Sequence, residues 1–253
     1  MSCPVGGFVI FVGPNNRIDY VTIASTGNAT DFGDLTSARQ TCYGASNAIR
    51  GCFAWGVSPS LTNTVDYITI ATTGNAQDFG DMTAAFRSSG QCASRTRGLM
   101  GGGYTTGNLS DIDKITIAST GDATNFGDLT LARQQAGALS NQTRGIFAGG
   151  YTPSAVNIID YVTIASLSNA QDFGDLVAAR SQVKGCASPV RGLMMGGQQP
   201  GLTNIEYITI STTGNAQDYG DLNGVRSQGG CVSSATRGVY MGGTPAPAPA
   251  AIL

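Results

Sequence analysis

Fourteen of the 16 acidic residues fall into three recurring positions. Asp19, Asp66, Asp113, Asp160 and Glu206 share one, Asp31, Asp78, Asp172 and Asp218 a second, and Asp34, Asp81, Asp128, Asp175 and Asp221 a third. Carboxylates in numbers suggest general acid–base chemistry. Nine of the 14 basic residues recur in the same way, as Arg39, Arg133, Arg180 and Arg226, then Arg50, Arg97, Arg144, Arg191 and Arg237. A catalytic centre needs a unique constellation with mutual geometry. A residue present in every unit of a repeat belongs to the unit. The acids are therefore read as acceptors for turn amides, and the arginines as braces between neighbouring units. The chain has no His, which removes the commonest general base and metal ligand. No enzymatic activity is expected.

Other motifs lose their chemical reading in context. Asp-Phe-Gly recurs, as at residues 31–33, but no phosphate-binding loop or catalytic loop accompanies it. The Gly101-Gly102-Gly103 run closes a strand instead of opening a helix, so it is no dinucleotide site. Cys92, Cys186 and Cys231 are assigned to one strand position, shared with Ala45 and Leu139. A ring of thiols could bind a soft metal, but Ala and Leu there argue for small buried side chains. Cys3, Cys42 and Cys52 fit no ligand spacing, and no metal or organic cofactor is implied.

Two features point to binding. Trp55 stands where other units have Gly102, Gly149 and Gly196. It is either a platform for a sugar or partner side chain or a filler of one gap. The most variable segments, residues 58–63, 105–110, 152–157 and 198–203, are polar, uncharged links. Leu61, Leu109, Val156 and Leu202 lie on or beside them, and binding commonly resides on such loops. Tyr240 near the C-terminus joins this set of candidate partner-binding residues.

Composition narrows the class. Charged residues are 12% of the 253, about half the usual share of roughly 25%. A net charge of -2 gives no basic footprint for nucleic acid. The apolar stretch at residues 6–12 is too short to span a bilayer and has no basic residue before it. Free thiols fit a reducing cytoplasm. Thirty-six glycines point to tight turns.

The elements that position all of this repeat. Arg50, Arg97, Arg144, Arg191 and Arg237 are spaced 47, 47, 47 and 46 apart, as are Asp34 to Asp221 and Thr22 to Thr209. Each unit holds four short strands, illustrated by residues 133–139, 144–150, 159–164 and 172–176. The third alternates with period two. A Gly-Asn turn or close variant joins the third to the fourth. Four strands per unit and a period in the mid-forties are the arithmetic of a β-propeller blade. The expectation is an all-β, five-bladed propeller of five ~47-residue repeats over residues 1–243, with a Pro/Ala-rich tail at 244–253.

Closure leaves one strand over. The Gly-Gly strand has copies at residues 7–13 and 237–243, where one blade needs one. Gly6 takes the Arg position in the N-terminal copy. Either both copies share a sheet, or one pairs with a neighbouring subunit. The tail is read as unable to join a ladder readily.

Arg133, the Gly149-Gly150 pair, Tyr161 and Phe173 together resemble a kelch repeat, and the resemblance spans nearly the whole chain. The usual fourth-strand Trp is replaced by Phe32, Phe79, Phe126, Phe173 or Tyr219. The phrase at residues 69–82 and its copies also resembles repeats in structural proteins of tailed bacteriophages of the cyanophage type. That resemblance implies a virion protein of capsid or tail, assembled in the host cytoplasm, that docks other virion proteins or itself through a rigid propeller. The alternative is a lectin-like receptor-binding module that takes a host-surface glycan.

Overall fold

The computed structural model describes residues 8–12, 16–22, 25–40, 42–57, 60–198 and 202–245. They form strands and turns, with no helix among the described residues. An N-terminal sheet holds β1 (Phe8–Val12), β2 (Arg17–Thr22) and β3 (Thr30–Asp34). Four complete four-stranded sheets follow. The second sheet is β4 (Tyr43–Ser46), β5 (Arg50–Val57), β6 (Leu61–Thr69) and β7 (Gln77–Asp81). The third is β8 (Gly90–Ala93), β9 (Arg97–Tyr104), β10 (Asn108–Thr116) and β11 (Thr124–Asp128). The fourth is β12 (Gly137–Ser140), β13 (Arg144–Ala148), β14 (Ile158–Thr163) and β15 (Gln171–Asp175). The fifth is β16 (Lys184–Ala187), β17 (Arg191–Met195), β18 (Asn204–Thr209) and β19 (Gln217–Asp221). The chain then runs through β20 (Arg226–Ser227), β21 (Gly230–Ser233), β22 (Gly238–Met241) and β23 (Thr244–Pro245).

Every pairing is antiparallel and every unit shares one register. Arg50, Arg97, Arg144 and Arg191 stand opposite Thr69, Thr116, Thr163 and Thr209. In the N-terminal sheet it is Phe8 that stands opposite Thr22. The Arg position is therefore held by Phe8, two residues later than Gly6, which lies outside the described residues. β21 pairs with β22, and Thr244 and Pro245 pair with Ser227 and Arg226. The start of the tail thus joins a ladder, correcting the expectation that it would not. Proline tolerates such an edge, because its missing N–H is not needed there.

Links expected as loops are partly strand. Leu61 opposes Val57, and Leu109 opposes Gly103. In the second and third sheets the second and third strands run on into long hairpins, because residues 61–64 and 108–111 contain no Pro or Gly to stop them.

The sheets stack through apolar faces. Phe79 and Val65 of the second sheet pack with Met100, Ile115, Ile117 and Ala123 of the third. Ile18 and Phe32 of the N-terminal sheet meet Phe53, Ile68, Ile70 and Ala76 of the second in the same way. Period-two alternation supplies both faces of each sheet, so each inner sheet is covered on both sides.

A glycine bulge locks each seam. The register of β6 and β7 shifts between Val65 and Asp66, skipping Phe79. Gly80, at φ 136°, turns the chain there. A Cβ on it would lie 2.7 Å from the Gly121 carbonyl carbon of the next sheet. The Gly121 and Ala123 amides donate to the Phe79 and Asp81 carbonyls, and the Asp81 amide donates to the Asp122 carboxylate. The turn at Gly74-Asn75-Ala76 makes the same three bonds to Phe32 and Asp34.

Candidate functional site

The first strands of the units, β4, β8, β12, β16 and β21, surround one cavity of about 250 Å³. Its walls are mostly Gly, Ala, Ser and Cys, joined by Tyr43, Gln91, Leu139 and Val183, with Lys184 as the one charged residue among the described residues that line it. Burial pulls the Lys184 ammonium below its ordinary pKa. Burial also pushes the Cys92 thiol up to about 12. Cys92 and Cys186 share a register position, opposite Leu99 and Leu193. Cys231 does not share it: Val232 opposes Val239, so Cys231 is displaced by one residue. Cys231 follows Cys186 by 45 residues, one short of the 46 that relate Arg191 to Arg237. A one-residue shift reverses the face of a strand side chain, so Cys231 turns back toward the fifth sheet and packs in a cluster with Cys186 and Met195. A ring of equivalent thiols is not formed. Among the described residues no three His, Cys, Asp or Glu side chains gather where they could hold a metal.

The repeated arginines and acids pair inside the sheets. Arg39 meets Asp66 at 2.8 Å, Arg133 meets Asp160 at 3.0 Å and Arg180 meets Glu206 at 3.0 Å, all with side chains 0% exposed. The Asp66 carboxylate also accepts from the Thr36 amide and hydroxyl, and Asp160 accepts the same pair from Thr130. Arg39 and Arg133 spend a further N–H on the Phe53 and Phe147 carbonyls. A charge taken out of water needs such partners, and these carboxylates have little capacity left for a substrate. The second set of arginines does brace neighbours, through carbonyls. Arg50, Arg97 and Arg144 donate to Ile117, Ile164 and Ile210 of the next sheet. Arg50, Arg144 and Arg191 also lie 4.5–4.6 Å from the centroids of Tyr67, Tyr161 and Tyr207.

The third sheet breaks the pattern. Phe86 holds the Arg position, so Asp113 has no ion pair among the described residues and bonds the Thr83 hydroxyl instead, at 2.5 Å. Burial raises its carboxyl above the ordinary value.

Trp55 sits against that substitution. Its ring is 0% exposed. It packs 4.3 Å from Phe86 between centroids and edge-on to Tyr43, and its N–H donates to the Ala84 carbonyl. In the equivalent places a Cβ on Gly102, Gly149 or Gly196 would lie 2.5 Å from the Arg133, Arg180 or Arg226 carbonyl oxygen. Trp55 is the gap-filler of the two roles considered for it. An enclosed ring presents no face to a sugar.

Leu61, Leu109, Val156 and Leu202 are half-buried, and Leu109 packs on the core of the second and third sheets. They are not gathered into one pocket among the described residues. Tyr240 is half-buried too, its phenol oxygen accepting the Gly229 N–H at 3.1 Å. With Leu222, Asn223, Arg226 and Gly242 it lines a hollow of about 300 Å³. The more exposed apolar residues lie elsewhere. Ile49 and Val190 top the hairpins between first and second strands, at 65% and 64% exposure, and Leu167 tops a hairpin between third and fourth strands. These hairpins share the rim opposite the variable links. Their sequence signal was an apolar residue where sister turns carry Thr96, Thr143 and Thr236.

A groove of about 350 Å³ lies between the fifth sheet and the β21–β22 hairpin. Leu193, Val190, Tyr219, Ala235 and Arg237 line it. Tyr219 is 54% exposed, whereas Phe173, its counterpart in the fourth sheet, is 2% exposed.

No family model matches this chain, and no curated protein matches it. The geometry of the site therefore stands by itself.

Proposed function

We propose that the protein is a non-enzymatic structural or adaptor component of a phage virion, built as a five-bladed kelch-like β-propeller. The observation that carries the non-enzymatic part is the fate of the charges. Three of the recurring acids, Asp66, Asp160 and Glu206, are taken up in enclosed pairs with Arg39, Arg133 and Arg180. The five first strands around one cavity support the propeller reading. The exposed Ile49, Val190 and Leu167 support docking to protein, since apolar residues on a weakly charged rim favour association. Other virion proteins or further copies of the chain are the partners. The lectin-like alternative placed its site at Trp55 and the Asn-rich turns, and the enclosure of Trp55 leaves it the turns alone.

Quantitative mass spectrometry of purified particles whose genome encodes the chain tests the proposal. Presence at a fixed copy number per particle is the expected result. Abundance in infected cells with absence from particles overturns it. Ile49→Ser with Val190→Ser is expected to lower incorporation while leaving the melting temperature within about 2 °C.

A further inference from the structure

The seam lock described above is made four times. Gly33, Gly80, Gly127 and Gly174 each have a turn of the following sheet pressed against them, and a Cβ on any of them would overlap that turn's backbone. Gly220, the fifth, has nothing within 4 Å. Its neighbours Tyr219 and Asp221 are exposed. At the other end of the chain the Gly27-Asn28-Ala29 turn is exposed, Ala29 included. Its sister alanines, Ala76, Ala123, Ala170 and Ala216, are all buried. One vacant socket and one vacant plug remain, and they are of the repeat's own kind.

The charges leave the same pair of vacancies. Arg226 holds the position of Arg39, Arg133 and Arg180, yet is exposed and makes no ion pair among the described residues. Asp19 holds the position of Asp66, Asp160 and Glu206, yet reaches only the exposed Arg17. The groove beside β22 is the space that third and fourth strands fill in every complete sheet.

Two strands compete for the place beside β2. β1 holds it now. At the position of Val9 the complete sheets have Gly51, Gly98, Gly145 and Gly192. A Cβ on Gly98 would lie 2.7 Å from Ala45, and one on Gly145 2.8 Å from the Cys92 sulfur. The first strand of the preceding sheet leaves no room for a side chain there. Gly238 of β22 already sits so, its Cβ position 2.8 Å from the Cys186 sulfur of the fifth sheet. Gly242 and Gly243 also take the positive φ of Gly196 and Gly197. A valine cannot enter that place with the fifth sheet behind it.

We propose that β22, not β1, is the resident second strand of the closing blade. The N-terminal β2 and β3 of the same chain dock into the groove, β2 pairs with β22, and β1 is released as an arm. By the register of β17 and β18, Arg237 comes opposite Thr22, Gly238 opposite Val21 and Met241 opposite Ile18. The Gly27 and Ala29 amides bond the Tyr219 and Asp221 carbonyls, and Asp19 pairs with Arg226. The common cavity brings β4, which follows directly on the N-terminal sheet, onto the same centre as β21, which favours closure within one molecule over closure between two. This inference rests on the five-bladed reading.

Hydrogen exchange by mass spectrometry on the full chain tests both separately. Peptides over residues 238–241 are expected to be as protected as those over 192–195, and peptides over 8–12 to exchange like unpaired chain. Protected 8–12 with fast 238–241 overturns the choice of strand while leaving a closed ring. Fast exchange at 25–29 together with 219–221 means an open array, and overturns the five-bladed reading itself. Removal of residues 1–13 is expected to leave the melting temperature unchanged, and Gly238→Val to lower it by about 5 °C or more. The opposite ranking overturns the proposal. Asp19→Arg is expected to leave the molecular mass read by light scattering unchanged. An oligomer that dissociates on Asp19→Arg, and re-forms with Arg226→Asp added, means the socket takes a second copy and overturns closure within one chain.

Discussion

Trp55 of the second sheet and Phe86 of the third meet with ring centroids 4.3 Å apart, and each stands where its counterparts are Gly and Arg. The two substitutions are one exchange, made across a seam. Trp55 also holds φ at 55°, a conformation that costs a bulky residue of order 1 kcal/mol or more. Enclosure of both rings offsets that strain. Trp55→Gly alone is expected to lose about 2–4 kcal/mol, the cavity term less the relieved strain. Adding Phe86→Arg is expected to recover much of it, because the introduced guanidinium would reach Asp113. Urea denaturation of the two single variants and the double variant checks the coupling.

Asp113 should make the fold less stable as pH rises. Its carboxyl lies above the ordinary 3.8 because burial disfavours the charged form. The folded state then holds a proton that the unfolded state has lost. Stability is full below the unfolded value and falls as pH climbs from there through the folded value. Asp113→Asn is expected to match the parent near pH 3 and to melt higher at pH 7. Melting curves over that range test it, and a variant that melts lower at pH 7 would refute the account.

Arg133 and Asp160 behave as a unit. Arg133→Leu leaves an enclosed carboxylate unpaired and is expected to cost about 3–5 kcal/mol. Arg133→Leu with Asp160→Val removes both charges and is expected to cost less than that single change. A denaturant double-mutant cycle reads the difference.

Thiol chemistry at Cys52 and Cys92 should be slow in the folded protein. Burial pushes Cys52 and Cys92 up to about 12, so little thiolate exists at pH 8. Maleimide labelling followed by peptide mass spectrometry is expected to leave both unmodified in buffer and to modify both in guanidinium. Rapid native labelling of Cys92 would mean that the central cavity opens to reagent.

The order and pairing of strands were legible because spacing repeats and periodicity carries register. Arg144 to Thr163 is the same step as Arg97 to Thr116, and both pairs stand opposite each other. Partners within a unit were less legible. Nothing local says that Arg39 turns to Asp66 instead of the next sheet, since that depends on where a folded strand carries each side chain. Trp55 was misleading for a related reason. Its enclosure depends on Phe86, a residue of the following unit that looks ordinary in its own segment. Cys231 follows Cys186 by 45 residues, one short of the spacing of 46 between these two units, so it falls on the opposite face of its strand. Ile49 and Val190 were overlooked among turn residues, where sister threonines made the position look uniformly polar.

Four seams among the described sheets are made through the same glycine bulge and the same turn. A seam of this kind is indifferent to which unit supplies either side. Duplication or loss of a 47-residue segment in the gene would hand every surviving unit a neighbour it already fits. Under the proposed closure, what such an event would disturb is the curvature needed to bring Gly27 round to Tyr219. Inheritance of this architecture is thus constrained by the number of units, and only weakly by their order.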